Sequence, residues 1–429
     1  MHLSRYLKVV EPAEPDGEVL LYSCRRTSLV RLPAMLFAAL QRGEADAATV
    51  RALKKLGMLV EDQEAERVEV HNLPAALNRL NPTLRLAVVV GMRCNFACRY
   101  CYEGDLKGDH AMDDAVAAQL LRYVGERLSP SKKRLIVDFY GGEPLLYMAR
   151  IISLCQQFKA LADRRGVSFQ ATLVSNGSLL TGERAAELAA CGVTAAKVTI
   201  DGPAEVHDRS RPFRNGRGSF ATIVANLRAA HHTLKLTLAG NFTATTWRQF
   251  PLLLDYLAEN GLGPVAFAEV KFDAAMQIND VHGPADFREG TLSTEEPWLV
   301  EACLVLRREI RRRGYTYPRL QPSTCMIEQD DNIAVHFNGD LYKCVALVGR
   351  EAFRAGDLRQ GIVDGFRRTY CCGHWRANPA CGACAYLPLC FGGCRFLTYQ
   401  RTGAMAGVDC QKAYFDRALV PMLLDLAAT

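Results

Sequence analysis

The chain has 429 residues, 49% of them apolar and 23% charged, with a net charge of +6. That length exceeds one ordinary core and implies two or three domains, the mix is that of a soluble globular protein, and so mild a charge argues against a nucleic-acid partner. No apolar run reaches the roughly 20 residues needed to span a bilayer, and Met1–Leu20, broken by Pro12 and Pro15, does not read as a signal peptide, so a cytoplasmic protein with no membrane partner is expected.

Residues 1–80 read as a small α+β module. Tyr6–Val10 and Val19–Ser23 are expected to pair as a hairpin around Pro15-Asp16-Gly17. Helical patterns follow over Pro33–Gln41 and Ala45–Lys55, then a short strand near Val68–Val70. A hairpin followed by helices resembles the winged-helix peptide-recognition elements attached to peptide-modifying enzymes; a plain capping domain is the alternative.

Over residues 84–275 strands and helices alternate. Apolar strand candidates are Leu86–Val90, Leu135–Phe139, Ala171–Val174, Ala196–Ile200, Leu234–Ala239 and Val265–Val270. Helical patterns lie between them at Asp113–Leu128, Leu145–Arg165, Gly182–Cys191, Phe220–His232 and Phe250–Asn260. Continuous apolar strands with helical crossovers predict a parallel sheet. Six such units fit an α/β fold with a partial (β/α)6 barrel, whose chemistry belongs on the loops after the strand C-termini. Residues 276–324 read as a bridge whose basic run, Arg307, Arg308 and Arg311–Arg313, is expected to be a solvated helix face. Residues 325–415 are cysteine-rich and poor in periodic segments, and residues 416–429 read as a C-terminal helix.

Sixteen cysteines are the anomaly. Without an export signal they do not suggest a disulfide framework. Cys24, Cys155, Cys191 and Cys303 stand alone in apolar or helical stretches and are expected to be buried thiols. The others are bunched.

The loop after the first strand reads Gly91-Met-Arg-Cys94-Asn-Phe-Ala-Cys98-Arg-Tyr-Cys101. Three thiolates so spaced can hold one corner of a [4Fe–4S] cluster and leave one iron open. A structural zinc site usually wants four ligands in two pairs. With Tyr100 before the last cysteine, this loop resembles the radical S-adenosylmethionine (SAM) superfamily. In that family the three cysteines hold the cluster, SAM chelates the open iron, and one-electron cleavage gives a 5′-deoxyadenosyl radical. The resemblance covers about residues 84–275 and implies further SAM contacts. Tyr100 would lie near the adenine. Gly141-Gly142-Glu143-Pro144, ending the second strand, matches the motif that binds the SAM amino group. Ser175 or Asn176 would reach the ribose or carboxylate, Thr199 the ribose, and Arg211, with Arg214 and Arg217 as alternatives, the carboxylate.

Thirteen residues separate Cys325 from Gly339, and four more precede Cys344; then come Cys381, Cys384, Cys390, Cys394 and Cys410. This spacing resembles the SPASM extension of radical SAM enzymes, which holds two auxiliary [4Fe–4S] clusters, three clusters in all. By that resemblance Cys381, Cys384, Cys390 and Cys410 complete one auxiliary site. Cys325, Cys344 and Cys394 form the other, whose fourth ligand is a carboxylate of the 328–331 stretch, Cys371 or Cys372, or a vacancy able to take a substrate thiolate.

The resemblance implies a cytoplasmic peptide maturase. It would abstract hydrogen from a ribosomally made precursor peptide or a protein, to form a thioether or carbon–carbon crosslink or a related modification. A reductant such as flavodoxin or ferredoxin would supply electrons. Anaerobic sulfatase-maturase-type oxidation of a protein Cys or Ser is the alternative. In those relatives an aspartate follows the cysteine matching Cys344, and here Val345 stands there, leaving Asp340 or another acid to substitute. A non-catalytic zinc or iron–sulfur protein is a third reading. No catalytic acid or base is assigned.

Overall fold

The computed structural model describes residues 1–11, 17–278, 287–322 and 324–427. The expected Pro15-Asp16 turn lies outside these residues. Its flanking strands, Leu7–Val10 and Glu18–Ser23, do pair antiparallel, and Leu29–Pro33 adds a third strand that the sequence pattern did not disclose. Helices Ala34–Arg42 and Ala47–Lys55 follow, the second capped by the Asp46 carboxylate on the amides of Ala48 and Thr49.

The strand expected near Val68–Val70 is instead part of a helix, Gln63–Leu80. Asp62 caps it, and Glu64 and Glu66 suit its positive N-terminal end. The alternation Val68-Glu69-Val70 looked like a strand, but the buried positions Glu66 and Val70 have helical spacing. Glu66 is buried because it accepts from Ser4 Oγ at 2.6 Å and the Arg5 amide at 2.9 Å, which ties the helix to the N-terminal strands.

Six parallel strands come next: Thr83–Val89, Arg134–Tyr140, Ser168–Ser175, Val193–Thr199, Lys235–Phe242 and Phe267–Ala274. They lie side by side in chain order, as the α/β reading requires. Helices Asp114–Arg127, Met148–Arg165, Gly182–Ala190, Phe220–Ala230 and Phe250–Glu259 cover one face and share the largest apolar core with it. The other face is more polar: the Arg85 guanidinium pairs with both oxygens of Asp138, at 2.6 and 3.1 Å. Residues following the first strand and residues of the sixth line one cavity, so the sheet curls around it.

The first strand has a second neighbour. Asn332–Val335 pairs parallel with Arg85–Val88, and Asp340–Tyr342, Gly356–Asp357 and Gly361–Ile362 extend the sheet antiparallel to ten strands. The cysteine-rich region therefore continues the same sheet. Beyond it the chain forms only short helices until Lys412–Ala427, which begins before the expected residue 416. In the bridge, helix Pro297–Arg312 carries the basic run, but Arg307 is not solvated: it is 3% exposed, with its guanidinium over the Tyr317 ring. Cys24, Cys155 and Cys191 are buried and Cys303 is half-buried. Among the described residues no helix is long and apolar enough to cross a membrane.

Candidate active site

The loop bearing Cys94, Cys98 and Cys101 is pinned along both sides. The Met92 amide donates to His110 O at 3.0 Å, and Met112 N to Val90 O at 2.9 Å, so the chain returns beside its own exit from the sheet. On the far side Ala97 N and Arg99 N donate to Pro212 O and Ser210 O, at 2.9 and 3.1 Å, and Phe96 meets Phe213 edge to face. From below, Gly142 N and Glu143 N donate to Gly91 O and Arg93 O, at 3.3 and 2.9 Å.

All three thiols line one cavity of about 260 Å³ with Tyr100, Gly141, Gly142, Ser175, Asn176, Thr199 and Arg211. Arg211 is buried there and hydrogen-bonds the Tyr100 hydroxyl at 2.6 Å, whereas Arg214 and Arg217 are exposed and outside the lining. Tyr100 also donates to Asp201 and accepts from Asn241 Nδ2 at 3.0 Å. Burial pushes the Asp201 carboxyl up, opposed by Arg211. Asp201 and Asn241 were not singled out as site residues; the signal was there, since each stands at the C-terminal end of a strand.

Glu143 and Pro144 are buried but do not line the cavity. The Glu143 carboxylate accepts from Leu145 N at 3.0 Å, Ser175 Oγ at 2.8 Å and Asn176 N at 2.8 Å. It joins the ends of the second and third strands. Only the two glycines of this turn face the cavity.

The remaining wall is polar. Lys107 lines the cavity with the cysteines: burial disfavours its charge, but Cys101, Cys94 and Cys98 raise its pKa overall. Glu103 beside it is pushed up to about 7 by burial, with Lys107 opposing. The Tyr102 and Tyr140 hydroxyls hydrogen-bond each other. Burial pushes the Cys101 thiol up to about 11, so it is protonated near neutral pH unless a metal displaces the proton. The donor set fits an iron–sulfur cluster with a SAM ligand. Three thiols share one wall, and the buried Arg211 Nε lacks a partner among the described residues while its guanidinium faces the same space.

Cys325, Cys344 and Cys394 lie near one another. Cys344 is pushed up by burial and by its neighbours Cys325 and Cys394. All three pack on the same apolar cluster as Tyr102 and Tyr140, which line the cavity. The carboxylates near Cys325 have basic partners: Glu328 binds Arg395, Asp330 binds Arg367 at 2.5 Å, and Asp331 binds Arg127 and Lys132. Cys371 and Cys372 pack on that cluster too, Cys372 with its sulfur 3.9 Å from Ile327 O. Asp340 pairs with Arg354 at 2.6 Å, away from the cavity. In the third group Cys390 is pushed up to about 12 by burial and by Cys384, Cys381 and Cys410. Among the described residues no three His, Cys, Asp or Glu side chains form a group that could hold a single metal ion.

The radical SAM superfamily model matches residues 88–255. The serine-type anaerobic sulfatase-maturating enzyme of Bacteroides thetaiotaomicron is 24% identical over 355 residues, 73% of this chain and 82% of the relative. The Fe-coproporphyrin III synthase of Methanosarcina barkeri is 26% identical over 251 residues, 57% of each protein. Two solved structures share the fold. Native anSMEcpe with bound AdoMet and Cp18Cys peptide superposes with a TM-score of 0.64 at 18% identity, over 81% of this chain and 99% of the other. Streptococcus suis SuiB bound to its precursor peptide SuiA gives 0.55 at 15%, over 95% and 98%.

Proposed function

We propose that the chain, whose residues 88–255 match the radical SAM superfamily model, is a radical SAM enzyme of maturase type that modifies a ribosomally made precursor peptide, with a crosslink as the product. Bound to a [4Fe–4S] cluster, SAM supplies a radical that abstracts a hydrogen atom from substrate. Cys94, Cys98 and Cys101 are its ligands in this reading. Arg211 offers the free edge of its guanidinium to the SAM carboxylate, and its bond to Tyr100 fixes that ring. The Gly141–Gly142 backbone accepts from the amino group. Phe96, Met276 and Ile278 wall off water.

The observation that carries the proposal is the sharing of one wall. Tyr102 and Tyr140 line the cavity and pack on the cluster of apolar side chains that holds Cys325, Cys344 and Cys394. A second redox site so placed suits a maturase that must take an electron from its product, or bind a substrate thiolate. With the nearby carboxylates paired to bases, Cys371, Cys372 or a vacancy remains for the fourth ligand. The exposed edge of Leu29–Pro33 in the N-terminal module suits an added peptide strand. A flavodoxin or ferredoxin would reduce the clusters.

Sulfatase maturation is the second reading, favoured by an alignment covering 82% of the Bacteroides relative. Val345, in place of the aspartate expected there, stands against it. Anaerobic assays with SAM, reductant and peptide test both. Cys101→Ala is expected to abolish SAM cleavage, and Cys384→Ala to lose peptide modification while retaining uncoupled cleavage. Conversion of a sulfatase-derived peptide to formylglycine, with no product from a cysteine-bearing precursor, would sink the first reading.

A further inference from the structure

Lys107 is placed by the C-terminal region, although it belongs to the first cysteine loop. It follows the short turn Gly104–Leu106. That turn is bolted down by Asp105, whose two oxygens each meet the Arg350 guanidinium at 2.6 Å. Leu106 packs on the same apolar cluster as Cys325, Cys344 and Cys394. From this mount the side chain turns back to the cysteines: its Nζ reaches Phe96 O at 3.4 Å, and it lines the cavity beside all three thiols. Of the other cations lining the cavity, Lys197 and Arg211, the arginine is committed to Tyr100. Glu103, on the same wall, offsets part of the lysine's charge.

We propose that Lys107 sets the reduction potential of the cluster held by Cys94, Cys98 and Cys101, as a fixed positive charge on the wall that carries the three ligand sulfurs. The proposal rests on the reading of that loop as a cluster site. One electron from an external low-potential reductant enters the cluster without making or breaking a bond, and adds a unit of negative charge. A cation beside the ligand sulfurs stabilises that state, since net charge near the cluster is a lever on such potentials. Lys107 acts through the cluster and is therefore a positioning residue.

The test uses full-length, anaerobically iron-loaded wild type, Lys107→Met and Lys107→Arg. Each is titrated electrochemically while the reduced-cluster paramagnetic signal that responds to added SAM is followed. At the potential where half of the wild type is reduced, Lys107→Met should show a reduced-to-oxidised ratio about tenfold lower, a midpoint about 59 mV more negative for one electron. Lys107→Arg should stay within twofold of wild type. A wild-type ratio in Lys107→Met overturns the proposal. So does loss of iron from the loop in that variant, which would make the lysine an assembly residue. A wild type with no SAM-responsive signal would instead overturn the reading of the loop itself.

Discussion

Gly141 and Gly142 serve the cysteine loop more directly than they serve a ligand. A Cβ on Gly141, whose φ is +115°, would sit 2.4 Å from Gly91 O, and one on Gly142 2.4 Å from Arg93 O. Neither oxygen can move without moving the cysteines. Gly142→Ala should therefore lose most of the SAM-responsive iron signal while keeping auxiliary iron, as spectroscopy and iron assay will show. Glu103 gives a pH prediction. Its folded pKa of about 7 exceeds the ordinary 4.5, so it favours the folded state below about pH 4.5, and that contribution is lost as pH rises through about 7. The difference is on the order of 3 kcal/mol. Glu103→Gln should lose less thermal stability than wild type between pH 5.5 and 8. The residue types were legible in the sequence, but their orientations were not. Spacing alone did not separate Arg211 from Arg214, and burial does. Nor did the motif disclose that the Glu143 carboxylate turns away from the cavity to bind two amides and a hydroxyl.

Among the elements, Asn332–Val335 matters most to the site. It lies between Arg85–Val88 and Asp340–Tyr342, so each of its residues serves a ladder. Ala334→Pro should remove a ladder bond at a cost of about 1–3 kcal/mol. It should lower the unfolding temperature and perturb the Cys325, Cys344 and Cys394 signals before those of the first loop. The six parallel strands and five crossover helices were legible because their apolar runs are long and regular. Asn332–Val335 was not, because four residues carry no period and their partner lies some 250 positions away. The same shortness turned Val68–Val70 into an expected strand, whereas the capping Asp62 pointed to the helix.

At the scale of the whole molecule, the N-terminal module is packed into the C-terminal one. Tyr6, Tyr22, Cys24 and Val70 share a core with Tyr386, Leu387 and Phe415, and Cys381, Cys384 and Cys390 pack on it. Removing residues 1–80 should uncover that third cysteine group. If all three groups hold [4Fe–4S] clusters, intact protein should carry about twelve iron per chain and the truncated protein about eight. Equal iron in the two would mean that the module serves recognition alone.

The sheet that runs unbroken from the sixth parallel strand through Thr83–Val89 to Asn332–Val335 has a kinetic consequence. The first cysteine loop follows Thr83–Val89, and Cys325 and Cys344 flank the strand pair Asn332–Val335 and Asp340–Tyr342 that extends its sheet, with Tyr140 close to both Cys101 and Cys344. The shared sheet fixes their separation. If both groups hold clusters, electron passage between them should need no change of distance, and single-turnover rates should be indifferent to added viscogen.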